Sequence, residues 1–387
     1  MIESYLGQIA EKGFIIMNIL ITGANGFMGR NLAATLSESA SGQEHTLLLI
    51  DVGASDAQLE AAAAQADFVF HLAGINRPVN EADFQRGNTD FTQHLMGLLD
   101  AGKCPPVVIS SSTQAEKDNP YGVSKRMAEE AVRDYGKRTG QSVMIYRLTN
   151  VFGKWSRPQY NSAVATFCHN IARGLPIQVN DPAALLKLVY IDDVVAEFQR
   201  ALLGNPTRQG DFCSALPEHS LTLAELTQHL YAFRDSREQC DVIDQSDPLV
   251  RKLYATYLSF LPEDDFAKSP IIHADRRGFF AELLHLGGYG QISVNVQKPH
   301  IAKGNHWHHT KHEKFVVVSG HGVIRFRKVG CTDILTYPVS GDVPVIVDIP
   351  PGYTHNIENL GDTDMVTLMW ANERFDPTRT DTFLMPV

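Results

Sequence analysis

The chain has 387 residues, 44% hydrophobic and 20% charged, with a net charge of -10. That length exceeds one typical core and points to two domains, and the acidic balance offers no basic stripe for a nucleic-acid partner. No apolar run approaches the roughly 18 residues of a membrane span, and Cys104, Cys168, Cys213, Cys240 and Cys331 show no paired spacing, which fits reduced thiols in a cytoplasmic protein.

Residues 1–16 carry Glu3 and Glu11, with no basic n-region and no small-residue cleavage site, so they read as an N-terminal extension and not as a secretory signal. Met17 is an alternative start. From Ile15 to Ile21 an apolar run leads into Thr22-Gly23-Ala24-Asn25-Gly26-Phe27-Met28-Gly29-Arg30, and helical periodicity follows from Asn31 to Leu36. Strand, glycine turn and helix in that order let the backbone approach a pyrophosphate at a helix N-terminus. The next strand, Thr46 to Ile50, ends in Asp51, placed to accept hydrogen bonds from an adenosine ribose and to disfavour a 2'-phosphate. Arg30 is the counterweight, a cation suited to that phosphate. Asp67 to His71 predicts a further strand that leaves into Leu72-Ala73-Gly74, followed by Arg77, either a ligand for a substrate phosphate or sugar or a plain loop arginine.

Val107-Val108-Ile109 predicts a buried strand with Ser110, Ser111 and Ser112 at its end. Tyr121 and Lys125, four residues apart, share a helix face. A lysine ammonium beside a phenol is expected to lower the tyrosine pKa, and Ser112 would bind the same substrate oxygen. Val143 to Leu148 reads as another strand, with Asn150 just beyond it. In Tyr190-Ile191-Asp192-Asp193 the carboxylates suit a helix N-cap and first-turn charge better than an acid-base pair. Leu221 to Phe233 has the spacing of an amphipathic helix.

Together these elements resemble the extended, nucleotide-sugar branch of the short-chain dehydrogenase/reductases. The likeness lies in the glycine turn, in D-x-x-x-H-x-A-G over Asp67–Gly74, in Tyr121-x-x-x-Lys125 and in R-x-x-N-v-y-G over Arg147–Gly153. It implies that Ser112, Tyr121 and Lys125 are catalytic. It further implies that Gly23, Asn25, Gly26, Phe27, Met28, Gly29, Arg30, Asp51, Leu72, Ala73 and Gly74 bind the cofactor with Tyr121 and Lys125, and that Asn150 meets a nucleotide sugar. A dehydratase of this branch carries an acid pair just after the serine, and Thr113-Gln114-Ala115 stands there instead.

Around LPEDDF the α/β alternation stops, and from Ile271 short strands with glycine and proline turns predict an all-β barrel or jelly roll. The expected layout is α/β plus all-β: a doubly wound Rossmann-type parallel sheet with a small substrate lobe over 17–258, then a barrel over 266–387. His306-x-His308, Glu313 and Gly320 match the first cupin motif, and Pro350-x-Gly352-x-x-His355-x-x-x-Asn359 the second. Three imidazoles and a carboxylate suit Zn2+ or another divalent metal. Asp275-Arg276-Arg277-Gly278-Phe279-Phe280-Ala281-Glu282 and Lys303-Gly304-Asn305-His306 resemble deoxysugar 3,5-epimerases, which implies substrate-binding roles for Arg277, Glu282 and Lys303. Those enzymes use the motif histidine as a base, and His306 cannot easily serve as both base and ligand.

With HLAGINRP, NPYGVSK, GNHWHHTKHEKF and GYTHNIENLGDTDMV, the chain from Met17 to Val387 is similar to bacterial capsular-polysaccharide bifunctional enzymes that form UDP-2-acetamido-2,6-dideoxy-L-talose. That resemblance implies C3 epimerisation in the cupin, C4 reduction in the Rossmann domain, a 4-keto UDP-sugar substrate and a homodimer. It implies NADPH in preference to NADH, against the hint from Asp51, and zinc in the cupin. Two alternatives remain at this level: a simple reductase or 4-epimerase with the cupin as a metal-binding dimerisation module, or a 4,6-dehydratase with an appended binding domain.

Overall fold

In a computed structural model that describes residues 16–38, 45–78 and 80–387, short parallel strands alternate with helices in the first half. The 1–15 part of the expected extension lies outside the described residues. The order is β1 (Asn18–Thr22), α1 (Phe27–Ser37), β2 (Thr46–Ile50), α2 (Asp56–Gln65) and β3 (Phe68–His71). A short helix, Ala82–Phe84, then runs through a π-helical turn, Gln85–Asp90, into α3 (Phe91–Asp100). After these come β4 (Val107–Ser112), α4 (Pro120–Thr139), β5 (Val143–Leu148), β6 (Asn150–Phe152), α5 (Ala163–Ala172), β7 (Leu185–Tyr190) and α6 (Ile191–Leu202). Two short strands, β8 (Arg208–Gln209) and β9 (Phe212–Cys213), precede β10 (Glu218–Thr222), α7 (Leu223–Glu238) and α8 (Pro248–Leu258).

The main sheet has the order β2-β1-β3-β4-β5-β9-β8, parallel except for β8. Strand order reverses between β1 and β3, and ligands of doubly wound folds sit at the carboxyl ends of strands beside such a switch point. Full burial of Ile19, Leu20 and Ile21 explains why β1 reads as an unbroken apolar run, since both faces of a parallel sheet are covered. β1 begins at Asn18, later than the apolar run that opens at Ile15. β10, β7 and β6 form a separate three-stranded sheet.

From Ile271 on the chain is strand and turn, apart from one short 3-10 helix at Gly287–Tyr289. One sheet joins β11 (Ile271–Asp275), β12 (Gly278–His285), β13 (Gln291–Gln297), β20 (Met365–Ala371), β15 (Glu313–Ser319) and β18 (Val347–Ile349) in that order. The other joins β17 (Ile334–Ser340), β16 (His321–Lys328), β19 (Tyr353–Asn359), β14 (Ala302–Trp307) and β21 (Phe383–Leu384). Both are antiparallel, and Phe315, Val317, Ile324, Phe326, Val339, Ile349, Ile357 and Met365 pack into one apolar core. This is the jelly-roll architecture of the cupins. The chain divides into two compact units, one running to Leu230 and including Arg251–Leu261, the other made of Tyr231–Val250 and Pro262–Val387.

Candidate active site and metal centre

The first site grows out of the glycine turn after β1. Gly23 has a φ of +71°, and a Cβ there would lie 2.7 Å from the Ala73 amide nitrogen. A Cβ on Gly29 would lie 2.2 Å from the Gly23 carbonyl oxygen. The turn is therefore closed against itself and against Leu72-Ala73, and only hydrogen fits at these positions. Asp51, at the end of β2, accepts from the backbone N–H of Asn25 at 2.5 Å and of Val52 at 2.7 Å. The free N–H groups at the start of α1 and the Asp51 carboxylate fit a dinucleotide. Arg30 lies 5.0 Å over the Trp155 ring, and Lys154, itself paired with Asp192, lies 5.6 Å from the same ring.

The catalytic candidates meet at the ends of β4 and α4. Asn119 caps α4, its side chain accepting from the Gly122 N–H at 2.8 Å, and Pro120 opens the helix. A Cβ on Gly122 would lie 2.2 Å from the Gln114 carbonyl, so this glycine lets the first turn of α4 sit on the segment after β4. That contact brings the Tyr121 phenol to the Ser112 hydroxyl. Burial raises the Tyr121 pKa, and the hydrogen bond from Ser112 offsets only part of it. The expected lowering by Lys125 is thus overturned: desolvation dominates, and the phenol is held in its protonated, donating form. Lys125 donates to the Ser110 carbonyl at 2.8 Å, and burial brings its pKa down to about 8.

Beside this lysine lies Asn88, which the sequence reading passed over. Its side chain accepts from the Ile75 N–H at 2.7 Å and donates to the Ile75 carbonyl and the Ser124 hydroxyl, both at 2.9 Å. It sits in the π-helical turn, and a Cβ on Gly74 would be 3.1 Å from Asn88 Oδ1 and 3.3 Å from Lys125 Nζ. Asn88 therefore joins the β3 turn to the helix that carries Tyr121. The only sequence signal is an asparagine where helical spacing slips by one residue. His71 is buried between Thr22 and Thr92, and burial with the nearby Lys125 takes its pKa to about 3, so it is a neutral structural group.

Arg77 is exposed, and Asn150 donates to the Lys187 carbonyl at 3.0 Å. The N-cap expected of Asp192 and Asp193 is corrected. Tyr190 holds the cap position of α6, and the two aspartates occupy its first turn, where they meet the helix dipole and pair with Lys154 and Lys252.

The second site lies inside the β-barrel. Ligand atoms of His306, His308, Glu313 and His355 all fall within 4.8 Å of one another. Glu313 Oε2 is 3.5 Å from His308 Nε2 and 3.7 Å from His355 Nε2, and none of these three buried atoms has a hydrogen-bond partner. Buried polar atoms converging without partners are costly, and this donor set fits a divalent metal. Burial pushes the Glu313 carboxyl up, but His308, Lys311 and His355 outweigh it and hold it at about 2; burial takes His355 down to about 3. The ligands are thus a carboxylate and a neutral imidazole without any metal to enforce it. His308 Nδ1 faces the Asp381 carbonyl at 2.6 Å, a partner that points Nε2 at the centre.

A cavity of about 780 Å³ opens on this cluster and is lined by His306, Glu313, His355, Lys303, Arg277 and Glu282 among others. Arg277 is paired with Asp275 at 2.7 Å. Lys303 reaches the Asn295 side chain at 2.8 Å, and burial lowers its pKa. Glu282 lies 2.9 Å from His285 Nε2.

The first unit has the fold and the serine-tyrosine-lysine geometry of the NAD(P)-dependent oxidoreductases, and the protein is an enzyme of that class. Comparison with known proteins carries this further. The NAD dependent epimerase/dehydratase family matches residues 19–210, and the polysaccharide biosynthesis C-terminal domain matches residues 273–383. The UDP-2-acetamido-2,6-beta-L-arabino-hexul-4-ose reductase of Pseudomonas aeruginosa is 43% identical over 96% of this chain and 99% of its own length. The capsular polysaccharide assembling protein CapF from Staphylococcus aureus, 47% identical, superposes with a TM-score of 0.89 over 96% of this chain and all of that one. The UDP-glucuronic acid 4-epimerase of Bacillus cereus, at 18% identity and a TM-score of 0.53, shares the fold over 63% of this chain. The chain belongs to the bifunctional family that joins an epimerase/dehydratase-type reductase to a cupin-like polysaccharide biosynthesis domain.

Proposed function

We propose that this enzyme converts a 4-keto UDP-2-acetamido-2,6-dideoxy hexose to UDP-2-acetamido-2,6-dideoxy-L-talose for capsule precursor synthesis, inverting C3 in the cupin and reducing C4 in the Rossmann unit. The observation that carries this reading is the full-length match to a 4-keto sugar reductase, taken with a protonated tyrosine in the first turn of α4 that meets Ser112 at the end of β4.

NADPH, held by the glycine turn, Asp51 and Leu72–Gly74, supplies the hydride for C4. Ser112 orients the ketone oxygen and Tyr121 delivers the proton to it, while Lys125 holds a positive charge nearby and feeds the proton back toward the phenol. Arg77 and Asn150 are assigned to the nucleotide sugar. In the cupin, His306, His308, Glu313 and His355 hold Zn2+ or another divalent ion, which supplies positive charge beside the cavity. Arg277, Glu282 and Lys303 line the sugar's side of that cavity. The working form is a homodimer in the cytoplasm.

The test is to incubate the purified enzyme with the 4-keto UDP-N-acetyl sugar and NADPH and to identify the product by NMR. A C4-reduced sugar with inverted C3 supports the reading. A C4-reduced sugar with C3 retained makes the protein a simple reductase whose cupin serves assembly.

A further inference from the structure

One group of residues in the cupin unit is unexplained by metal binding. His285 is 4% exposed, and both its ring nitrogens face carboxylates: Nε2 lies 2.9 Å from Glu282 Oε2 and Nδ1 3.1 Å from Asp241 Oδ1. In a regular strand, residues three apart point to opposite faces. Here a β-bulge between Glu282 and Leu284 adds a residue and turns His285 back to the side of Glu282. Asp241 is fixed by main-chain bonds on both sides of it, from the His285 N–H to the Cys240 carbonyl at 2.8 Å and from the Val242 N–H to the His285 carbonyl at 2.7 Å. Bulge, ladder and side chains therefore converge on one hydrogen-bonded chain, Asp241 to His285 to Glu282, and Glu282 lines the cavity.

Two carboxylates facing one imidazole constrain the proton count. An ionised carboxylate only accepts, so with both carboxylates ionised both ring nitrogens must donate. If the ring is neutral, one carboxyl group must carry the proton. Glu282 is thus held through one oxygen, Oε2, by the His285 ring. On the same face of the β12–β13 pair, Glu282 is opposite Ser293, and the next inward residue of β13 is Asn295. Asn295 receives the ammonium of Lys303, which reaches it from β14 in the facing sheet.

We propose that Glu282, held by His285 and Asp241, is the base that removes the C3 proton in the cupin, and that Lys303 protonates the opposite face. This rests on the C3 epimerisation proposed above. The C3–H bond breaks toward Glu282 Oε1, the oxygen not held by His285 and 3.8 Å from His273 Nε2, and its electron pair becomes the enolate joining C3 and C4. A proton from the Lys303 ammonium then forms the new C3–H bond. Glu282 is left protonated and Lys303 neutral, and proton transfer through cavity water restores both. His285 and Asp241 are positioning residues. His306 stays a metal ligand, which removes the conflict over its two roles.

The experiment follows deuterium entry at C3 and C3 configuration, using the full-length protein in heavy water with the 4-keto UDP-N-acetyl sugar and no NADPH. Wild type should incorporate deuterium with inversion. Glu282→Gln should lower incorporation at least 100-fold with metal content and NADPH affinity unchanged, and Glu282→Asp should keep about a tenth of the rate. His285→Gln and Asp241→Asn should lower the maximal exchange rate about tenfold and leave KM unchanged. Lys303→Met should exchange deuterium with retained configuration, because Glu282 can still remove the proton and return it to one face. If wild type gives no exchange, C3 epimerisation itself fails and this assignment with it. If wild type exchanges and Glu282→Gln does so within threefold, only the Glu282 assignment is overturned. Should both Glu282 variants lose their metal, Lys303→Met decides: full inversion overturns the two-sided transfer, and retention supports it.

Discussion

The main-chain carbonyl of Asp381 is the partner of His308 Nδ1 at 2.6 Å, and the carboxylate of the same aspartate gathers the backbone N–H groups of His309, Thr310 and Lys311 at 2.8 to 2.9 Å. One residue therefore orients a metal-site histidine and anchors the loop that follows it. Burial pushes the Asp381 carboxyl up, but these N–H donors prevail and hold it well below the usual range. Asp381→Ala keeps the main-chain carbonyl but removes the carboxylate that fixes it and the loop in place, and is expected to lower metal affinity about tenfold through lost orientation of His308. Elemental analysis after dialysis against a weak chelator checks this, and wild-type retention would refute it.

Removing a ligand outright should act more strongly. His308→Ala or His355→Ala should reduce metal content and melting temperature together, since binding energy to the folded site is folding energy. A chelator should lower the melting point of the wild type and leave that of the variants nearly unmoved. Metal-free wild-type protein, purified without chelator, would sink the metal assignment.

Tyr121→Phe keeps the ring and deletes the proton donor. Reduction at C4 should fall by about 10² to 10⁴ while NADPH still binds. Turnover close to wild type would remove Tyr121 from the mechanism.

The Lys125 pKa of about 8 has a consequence for stability. The unfolded chain holds this proton up to its ordinary pKa of about 10.5, so between pH 8 and 10.5 the unfolded state binds more protons and this group makes stability rise with pH. Below pH 8 the buried ammonium costs about 3 kcal/mol, in full. Relative to wild type, Lys125→Met should therefore be more favourable to stability at pH 7 than at pH 10. Denaturant midpoints of the two proteins at both pH values measure it, and an equal difference at both would contradict the burial argument.

Gly29→Ala should place a methyl group 2.2 Å from the Gly23 carbonyl oxygen, backbone against backbone with no rotamer to relieve it. NADPH affinity should fall more than tenfold in a calorimetric titration.

Much of this was legible because the signals are local. A glycine turn between a strand and a helix, a tyrosine and a lysine one helical turn apart, and His306-x-His308 each fix a geometry over few residues, and the structure brings Ser112 to Tyr121 and gathers the three histidines with Glu313 as spaced. What failed to show depends on tertiary context. The Tyr121 pKa is set by burial, which spacing cannot report, and Asn88 acts through a π-helical slip with no composition of its own. Asp241 lies 44 residues before His285, in a segment whose neighbours upstream and downstream belong to the other unit.

Strand β13 reverses the usual meaning of an alternating strand. Its inward row is Gln291, Ser293, Asn295 and Gln297, all buried, and its Ile292, Val294 and Val296 point the other way. A barrel wall lined with amides gains little from dewetting, so the apolar core around Phe315 and Phe326 must carry most of the cohesion. Amide hydrogens of β11 to β13 should then exchange through local openings well below the global unfolding free energy, and those of β15 and β16 only through global unfolding. A ligand that spans the cavity would close that gap, slowing exchange in the polar wall first.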